Sequence, residues 1–249
     1  MASLLAVQNL YKSFGGVEAL KDVSFKLEKG QLLAMIGPNG AGKSTCFNLI
    51  NGQLRPDQGR IFIMDQEING SKPRDVWKLG VGRTFQITAT FPSMTVLENV
   101  QMAMLSYHRR TNSLLTKASQ LYVDESRDLL ERVGIRDQAD RTCGVLAYGD
   151  LKRVELAVAL ANKPRLLLMD EPTAGTGPAE RQTLMELTRD IVRTRNIGVL
   201  FTEHDMDVVF NHADRIIVLS RGELLAEGSP AEVQINAKVK EIYLGTAIT

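Results

Sequence analysis

Gly37-Pro-Asn-Gly-Ala-Gly-Lys-Ser44 places glycines at 37, 40 and 42, then a lysine and a hydroxyl. This spacing suits an anion. The glycines let successive backbone N–H groups turn inward without Cβ clashes. The helix expected next adds unsatisfied N–H groups and the positive end of its dipole. Lys43 would reach the β- and γ-phosphates of a nucleoside triphosphate, and the Ser44 hydroxyl would ligate Mg²⁺. Gly37, Pro38, Asn39, Gly40, Ala41, Gly42, Lys43, Ser44 and Thr45 form the expected nucleotide-binding segment. A glycine-rich turn without function is the plain alternative. The apolar strand before the loop and the helix after it are the context that the phosphate reading requires.

A second chemical feature is Leu166-Leu-Leu-Met-Asp170-Glu171, two carboxylates where an apolar run emerges. In open α/β sheets ligands gather at the carboxyl ends of strands, so this end is expected beside the phosphate loop. Asp170 would hold Mg²⁺ through water, and Glu171 would polarise the water that attacks the γ-phosphate. His204 ends a further apolar run, as a γ-phosphate contact or a partner of Glu171. Glu203 competes for that role, although an acid at a helix start needs only the dipole to explain it. His108 and His212 lack such context and read as surface residues. Cys46, in the first turn after the loop, either has its pKa lowered by the dipole or is a small packing residue; packing is the simpler reading.

These groups need elements to hold them. Leu4 to Leu10 and Val23 to Leu27 alternate as strands around a Phe14-Gly15-Gly16 turn. Gln31 to Ile36 and Gly59 to Asp65 read as strands, with a helix over Ser44 to Asn51 between them. From about Met94 to Ala161 the period becomes helical, as in Thr95 to Arg110 and Asp124 to Val133. The basic pair Arg109-Arg110 reads as a solvated helix end. A strand at Arg165 to Asp170, a helix at Pro178 to Arg195 and a strand at Gly198 to Thr202 alternate as in a doubly wound parallel sheet. Ser220-Arg221-Gly222 reads as a hairpin turn. The expected fold class is α/β, with a helical insertion.

The chain has 249 residues, 30 Lys+Arg against 29 Asp+Glu, a net charge of +1 and a mean hydropathy of −0.10. A near-neutral balance argues against a nucleic-acid partner. No apolar stretch approaches a membrane span, and the N-terminus lacks signal-peptide regions, so a cytoplasmic chain is expected. Two cysteines far apart make neither a disulfide framework nor a zinc site.

Gln86 in Gly82-Arg-Thr-Phe-Gln86 and Leu146-Ala-Tyr-Gly-Asp150 stand in order with the features above. Together these motifs resemble the ATP-binding subunits of ABC transporters over nearly the whole chain. The resemblance implies a P-loop NTPase, RecA-like core with an N-terminal antiparallel β subdomain, at about 1–86 and 162–249, and a helical subdomain at about 87–161. It implies that Phe14, with Tyr11 as rival, stacks on adenine, and that Gln86 touches both Mg²⁺ and the attacking water. Leu146, Ala147, Tyr148, Gly149 and Asp150 match the signature segment that contacts ATP on an opposing subunit. The common form is Leu-Ser-Gly-Gly-Gln, so the serine hydroxyl is absent and backbone N–H groups near Gly149 remain. Lys152 and Arg153 would add positive potential there. Gly177 stands where many relatives carry an acid at the dimer interface.

Leu-Ala-Tyr-Gly and the terminal Glu241-Ile-Tyr-Leu-Gly245 are similar to the branch serving branched-chain amino acid uptake. The implied partners are a second ATPase subunit, identical or paralogous, two separate permeases and, indirectly, a solute-binding protein. The implied location is peripheral, at the cytoplasmic face of the plasma membrane. Two alternatives stay open: the ATPase of a lipopolysaccharide-extraction type exporter, and a soluble ABC protein without transport function.

Overall fold

The computed structural model describes residues 3–84, 90–108 and 120–245, the side chains of 243–245 excepted. A hairpin of β1 (Leu5–Phe14) and β2 (Val17–Leu27) opens the chain. Strand β3 (Leu32–Ile36) runs into the glycine loop and α1 (Lys43–Ile50). Strands β4 (Gln58–Ile63) and β5 (Gln66–Glu67) return to the hairpin. Helix α2 (Pro73–Lys78) and β6 (Val81–Thr84) come next. Helices α3 (Val96–Tyr107), α4 (Val123–Arg132) and α5 (Tyr148–Leu160) follow among the described residues. Strand β7 (Leu166–Asp170), α6 (Pro178–Arg195), β8 (Gly198–Thr202) and α7 (Met206–His212) resume the alternation. The hairpin β9 (Arg215–Ser220) and β10 (Glu223–Gly228) precedes α8 (Pro230–Ile235) and α9 (Ala237–Gly245).

One sheet is antiparallel, in order β2-β1-β4-β5; the other has the order β10-β9-β3-β8-β7-β6 and is parallel except at β9–β10. Every residue of β3 and β8 is buried, because both faces of this sheet are covered. Alternate side chains serve different cores. Leu33, Met35, Leu168 and Leu200 pack with the antiparallel sheet and with Cys46, Phe47 and Ile50 of α1. Ala34, Ile36, Met169 and Phe201 pack toward Val100, Leu130, Leu156, Met185 and Val209 from α3 to α7. The α/β class with an antiparallel β layer is the expected one, and α1 lies on the side of the central sheet that this layer covers.

Local chemistry sets the helix starts. Thr95 caps α3: its Oγ1 accepts from Glu98 N at 3.1 Å while Glu98 Oε2 accepts from Thr95 N at 2.8 Å. Pro178 occupies the first turn of α6, where its missing N–H costs nothing, and Asn196 ends the helix at φ +52°. The first hairpin differs from the expectation. Its strands run through to Phe14 and from Val17, so the turn shrinks to Gly15-Gly16. Register shifts between Val7 and Ser13, with Asn9 and Asp22 at positive φ, break the two-residue alternation that marks a strand. The second hairpin turns as expected, through Arg221 at φ +49° and Gly222 at φ +83°.

Candidate functional site

The glycine loop is shaped by close approaches that no side chain could share. A Cβ on Gly37 would lie 2.2 Å from Leu219 O, and one on Gly42 would lie 2.6 Å from Ala19 O. Gly42 also holds φ +104°, which L side chains rarely adopt. Thus β9 and β2 press on the loop from both sides. Lys43 begins α1 and folds back, donating from Nζ to Gly37 O at 2.6 Å and Pro38 O at 3.2 Å. Burial lowers its pKa, opposed by the nearby charges of Glu171 and Asp170. The ammonium is therefore aimed along the loop and close to both acids.

Strand β8 lies between β3 and β7, so Thr202, Glu203 and His204 come between the glycine loop and the two carboxylates. The register pairs Thr202 with Met35 on one side and Asp170 on the other. Thr202 Oγ1 donates to Asp170 Oδ1 at 2.7 Å and accepts from Glu171 N at 3.0 Å. Arg83, from β6, lies 3.6 Å from Asp170 Oδ2. Burial lowers the Arg83 pKa and the Asp170 charge opposes that shift. Glu171 has φ +48°, a conformation an L-residue keeps only where neighbours enforce it. His204 Nε2 lies 2.8 Å from Glu171 Oε1.

Residues 39–45, Ala19, Glu171 and His204 line one open cleft of about 310 Å³. Its contents are loop N–H groups, a lysine, hydroxyls, a carboxylate and an imidazole, which suit a polyphosphate and an attacking water. A larger and more apolar cleft of about 410 Å³ lies at Asn51, Trp77, Arg83, Ala103 and Val158, away from the loop glycines. The smaller cleft joins the glycine loop and Lys43 to Glu171 and His204, so it is the candidate site.

Residues 20–174 match the family described as "ABC transporter", and residues 223–249 match "Branched-chain amino acid ATP-binding cassette transporter". The chain belongs to the ABC transporter ATP-binding cassettes. Members of this family are ATPases that power transport. The chain is 37% identical over 254 residues to the high-affinity branched-chain amino acid transport ATP-binding protein LivG of Salmonella typhimurium, covering 98% of both. It is 37% identical to BraF, of the same description, from Pseudomonas aeruginosa over 252 residues, again covering 98% of both. Among solved structures, an ATP-binding cassette of an ABC transporter in its ADP conformation superposes with TM-score 0.88 at 32% identity, covering 98% of this chain and all of that one. A nucleotide-free cassette gives TM-score 0.87 at 32% identity, covering 97% of this chain and 98% of that one.

The cassette places most expected residues, and some readings change. Gln86 and the pair Arg109-Arg110 lie outside the described residues. Phe14 ends β1 with 46% of its surface exposed, while the half-buried Tyr11 lines a separate shallow cleft with Lys21 and Asp22. Ala147 is the N-cap of α5 and makes no side-chain cap bond, so the N–H groups of Tyr148, Gly149 and Asp150 open that helix. The Tyr148 ring lies against Gly175: a Cβ there would be 2.9 Å from Tyr148 Cε1. Gly177 caps α6, its N–H donating to Glu180 Oε2 at 3.3 Å.

Lys152 does not add free positive charge to the signature, and Arg153 is turned toward the end of α4. Lys152 is buried and paired with Glu155 at 3.2 Å, because its place in the helical period turns it into the core. The Arg153 guanidinium donates to Val133 O at the end of α4. His212 is buried rather than on the surface, with Nε2 2.7 Å from Gln182 Oε1, because α7 is laid against α6. His108 is exposed, stacked on Tyr122 with ring centroids 4.4 Å apart. Cys46 is a packing residue; burial pushes its thiol up to about 12. Glu203 is not a helix-start acid: Asp205 caps α7, and Glu203 is buried and bonded to Thr173.

Thr202 and Arg83 were not singled out as site residues. A threonine ending an apolar strand is common, and only strand order puts this one beside Asp170. Arg83 stands in the segment that contains Gln86, but nothing in the sequence pairs it with an acid 87 positions on.

Proposed function

We propose that the cleft between residues 37–45 and Glu171 hydrolyses ATP, and that the chain powers uptake of branched-chain amino acids or related small organic solutes through separate permease subunits. The observation that carries the hydrolytic reading is the Glu171–His204 contact of 2.8 Å inside the cleft lined by the glycine loop. Phosphates would sit on the loop N–H groups and the first turn of α1, with Lys43 leaving its loop carbonyls for phosphate oxygens. Glu171 would accept a hydrogen bond from the attacking water, while His204 holds the carboxylate in place and faces the γ-phosphate. Phe14 would offer its exposed ring to the adenine.

Ser44 and Asp170 fit Mg²⁺, with Gln86 as the further expected ligand. A hydroxyl and a carboxylate are hard oxygen donors, and among the described residues no group of three or more His, Cys, Asp or Glu gathers into an all-protein cage. That is the pattern expected when phosphate oxygens and water complete the shell; the bound ion would neutralise charge on the β- and γ-oxygens.

The cargo reading is supported by the descriptions of the relatives and by the match over residues 223–249. No described helix is long and apolar enough to cross a membrane, which fits a peripheral subunit on the cytoplasmic face working with separate permeases. Leu146 to Asp150 would meet ATP held by a second cassette, and residues 87–161 would move as the helical unit that reports nucleotide state. Glu171→Gln tests the chemistry: it should bind ATP, lose turnover and accumulate as an ATP-bound dimer in gel filtration. Normal hydrolysis by that variant sinks the assignment. For cargo, vesicles carrying the permeases and the solute-binding protein should show leucine-stimulated ATPase; stimulation by an unrelated solute alone rejects the reading.

A further inference from the structure

Glu203 is a carboxylate buried to 4% exposure, and no salt bridge to it is found among the described residues. Burying a charge without a cation costs free energy, so stability alone does not explain it. Burial raises its pKa, opposed by bonds from Thr173 and His204. What it holds is specific. Glu203 Oε1 accepts from Thr173 N at 2.8 Å and from Thr173 Oγ1 at 2.7 Å, and Oε2 accepts from His204 N at 3.3 Å. Thr173 lies two residues beyond Glu171.

From Thr173 the restraint spreads along the loop. Thr176 Oγ1 donates to Thr173 O at 2.7 Å, and Arg181 Nε donates to Thr176 O at 3.0 Å. Ala174 N donates back to Glu171 O at 3.1 Å. On the other flank, Thr202 Oγ1 holds Glu171 N. Glu171 between them keeps φ +48°, and such a conformation persists only when its surroundings over-determine it.

We propose that Glu203 is a positioning residue for hydrolysis: through its double grip on Thr173 and its contact with the His204 backbone, it fixes both members of the Glu171–His204 pair. The inference rests on Glu171 being the group that polarises the attacking water. It assigns Glu203 no contact with nucleotide.

The test compares Glu203→Ala, Glu203→Gln and Glu171→Gln for kcat, for the Kd of ATP and for melting temperature. Glu203→Ala should lower kcat by about ten-fold or more, about 1.4 kcal/mol, with the Kd of ATP within about two-fold of the parent. Glu203→Gln keeps an acceptor oxygen for Thr173 and should restore kcat to within about three-fold of the parent. An alanine variant that folds, binds ATP and turns over at the parent rate overturns the proposal. A glutamine variant as slow as the alanine one also overturns it. If the alanine variant does not fold, Thr173→Val decides: the valine keeps the shape and the backbone bond but loses the hydroxyl bond. Its kcat should fall with ATP affinity kept, and an unchanged kcat rejects the proposal. Normal turnover by Glu171→Gln would remove the reading beneath; an inactive Glu171→Gln beside a fully active Glu203→Ala removes only the role of Glu203.

Discussion

Thr202→Val tests whether one hydroxyl sets both carboxylates of the site. Valine matches threonine in shape, and Thr202 is only 1% exposed, so no cavity forms and the change is purely polar. Two bonds disappear: the one donated to Asp170 Oδ1 at 2.7 Å and the one accepted from Glu171 N at 3.0 Å. A bond to a charged group contributes about 1.5–3 kcal/mol and a neutral one about 1 kcal/mol. The Asp170 and Glu171 side chains retain 15% and 18% exposure, so water recovers part of the loss. We therefore expect a loss near the lower end, about 2 kcal/mol. For a chain of this length that corresponds to a fall in melting temperature of roughly 4–8 °C. Release of Glu171 from its left-handed conformation should also lower kcat by about ten-fold, about 1.4 kcal/mol. The assay pairs thermal unfolding with steady-state ATPase at saturating ATP. A melting temperature within about 1 °C of the parent, together with an unchanged kcat, would refute the reasoning.

Gly42→Ala should abolish measurable ATP binding, because its Cβ would meet Ala19 O at 2.6 Å in a left-handed backbone; binding of a fluorescent nucleotide at parent affinity would contradict this. Ala147→Ser should add about 0.5–1 kcal/mol of stability in urea unfolding. Its N-cap backbone already has φ −63° and ψ 152° and lacks a side-chain bond, and ATPase should stay within a few fold. Burial, then the Arg189 charge, hold His212 below the ordinary imidazole pKa of about 6.5. The unfolded chain binds that proton more readily, so stability should fall as pH drops from about 7 through the depressed folded pKa. His212→Phe should flatten that part of the stability–pH profile; an unchanged slope would reject the assignment.

Much of the fold was legible because its signals are local. The helix Pro178–Arg195 and the strand Gly198–Thr202 match the sequence reading at both ends. Proline and asparagine punctuate the helix, and continuous apolar runs mark strands buried on both faces. The first hairpin was less legible, since bulges interrupt its alternation between Asn9 and Asp22. His212 reads as a surface residue, Lys152 as a free positive charge, and Glu203 as a rival of His204 or a helix-start acid; all three are buried. In each case the burial comes from elements distant in sequence, or from a helical face whose partner no local pattern specifies.

By itself the sequence determined which groups could act on a phosphate: the glycine loop with Lys43 and Ser44, the acids at the end of an apolar strand, and His204. Those signals are short-range, because glycine permissiveness, a helix start and a strand end are properties of adjacent residues. Only the tertiary structure decided how they meet. By inserting β8 between β3 and β7, it set Thr202 against Asp170 and Glu171, His204 against Glu171, and Glu203 beneath Thr173. Strand order in a parallel sheet depends on which faces the helices cover, so residues more than thirty positions apart become neighbours without any local mark of it.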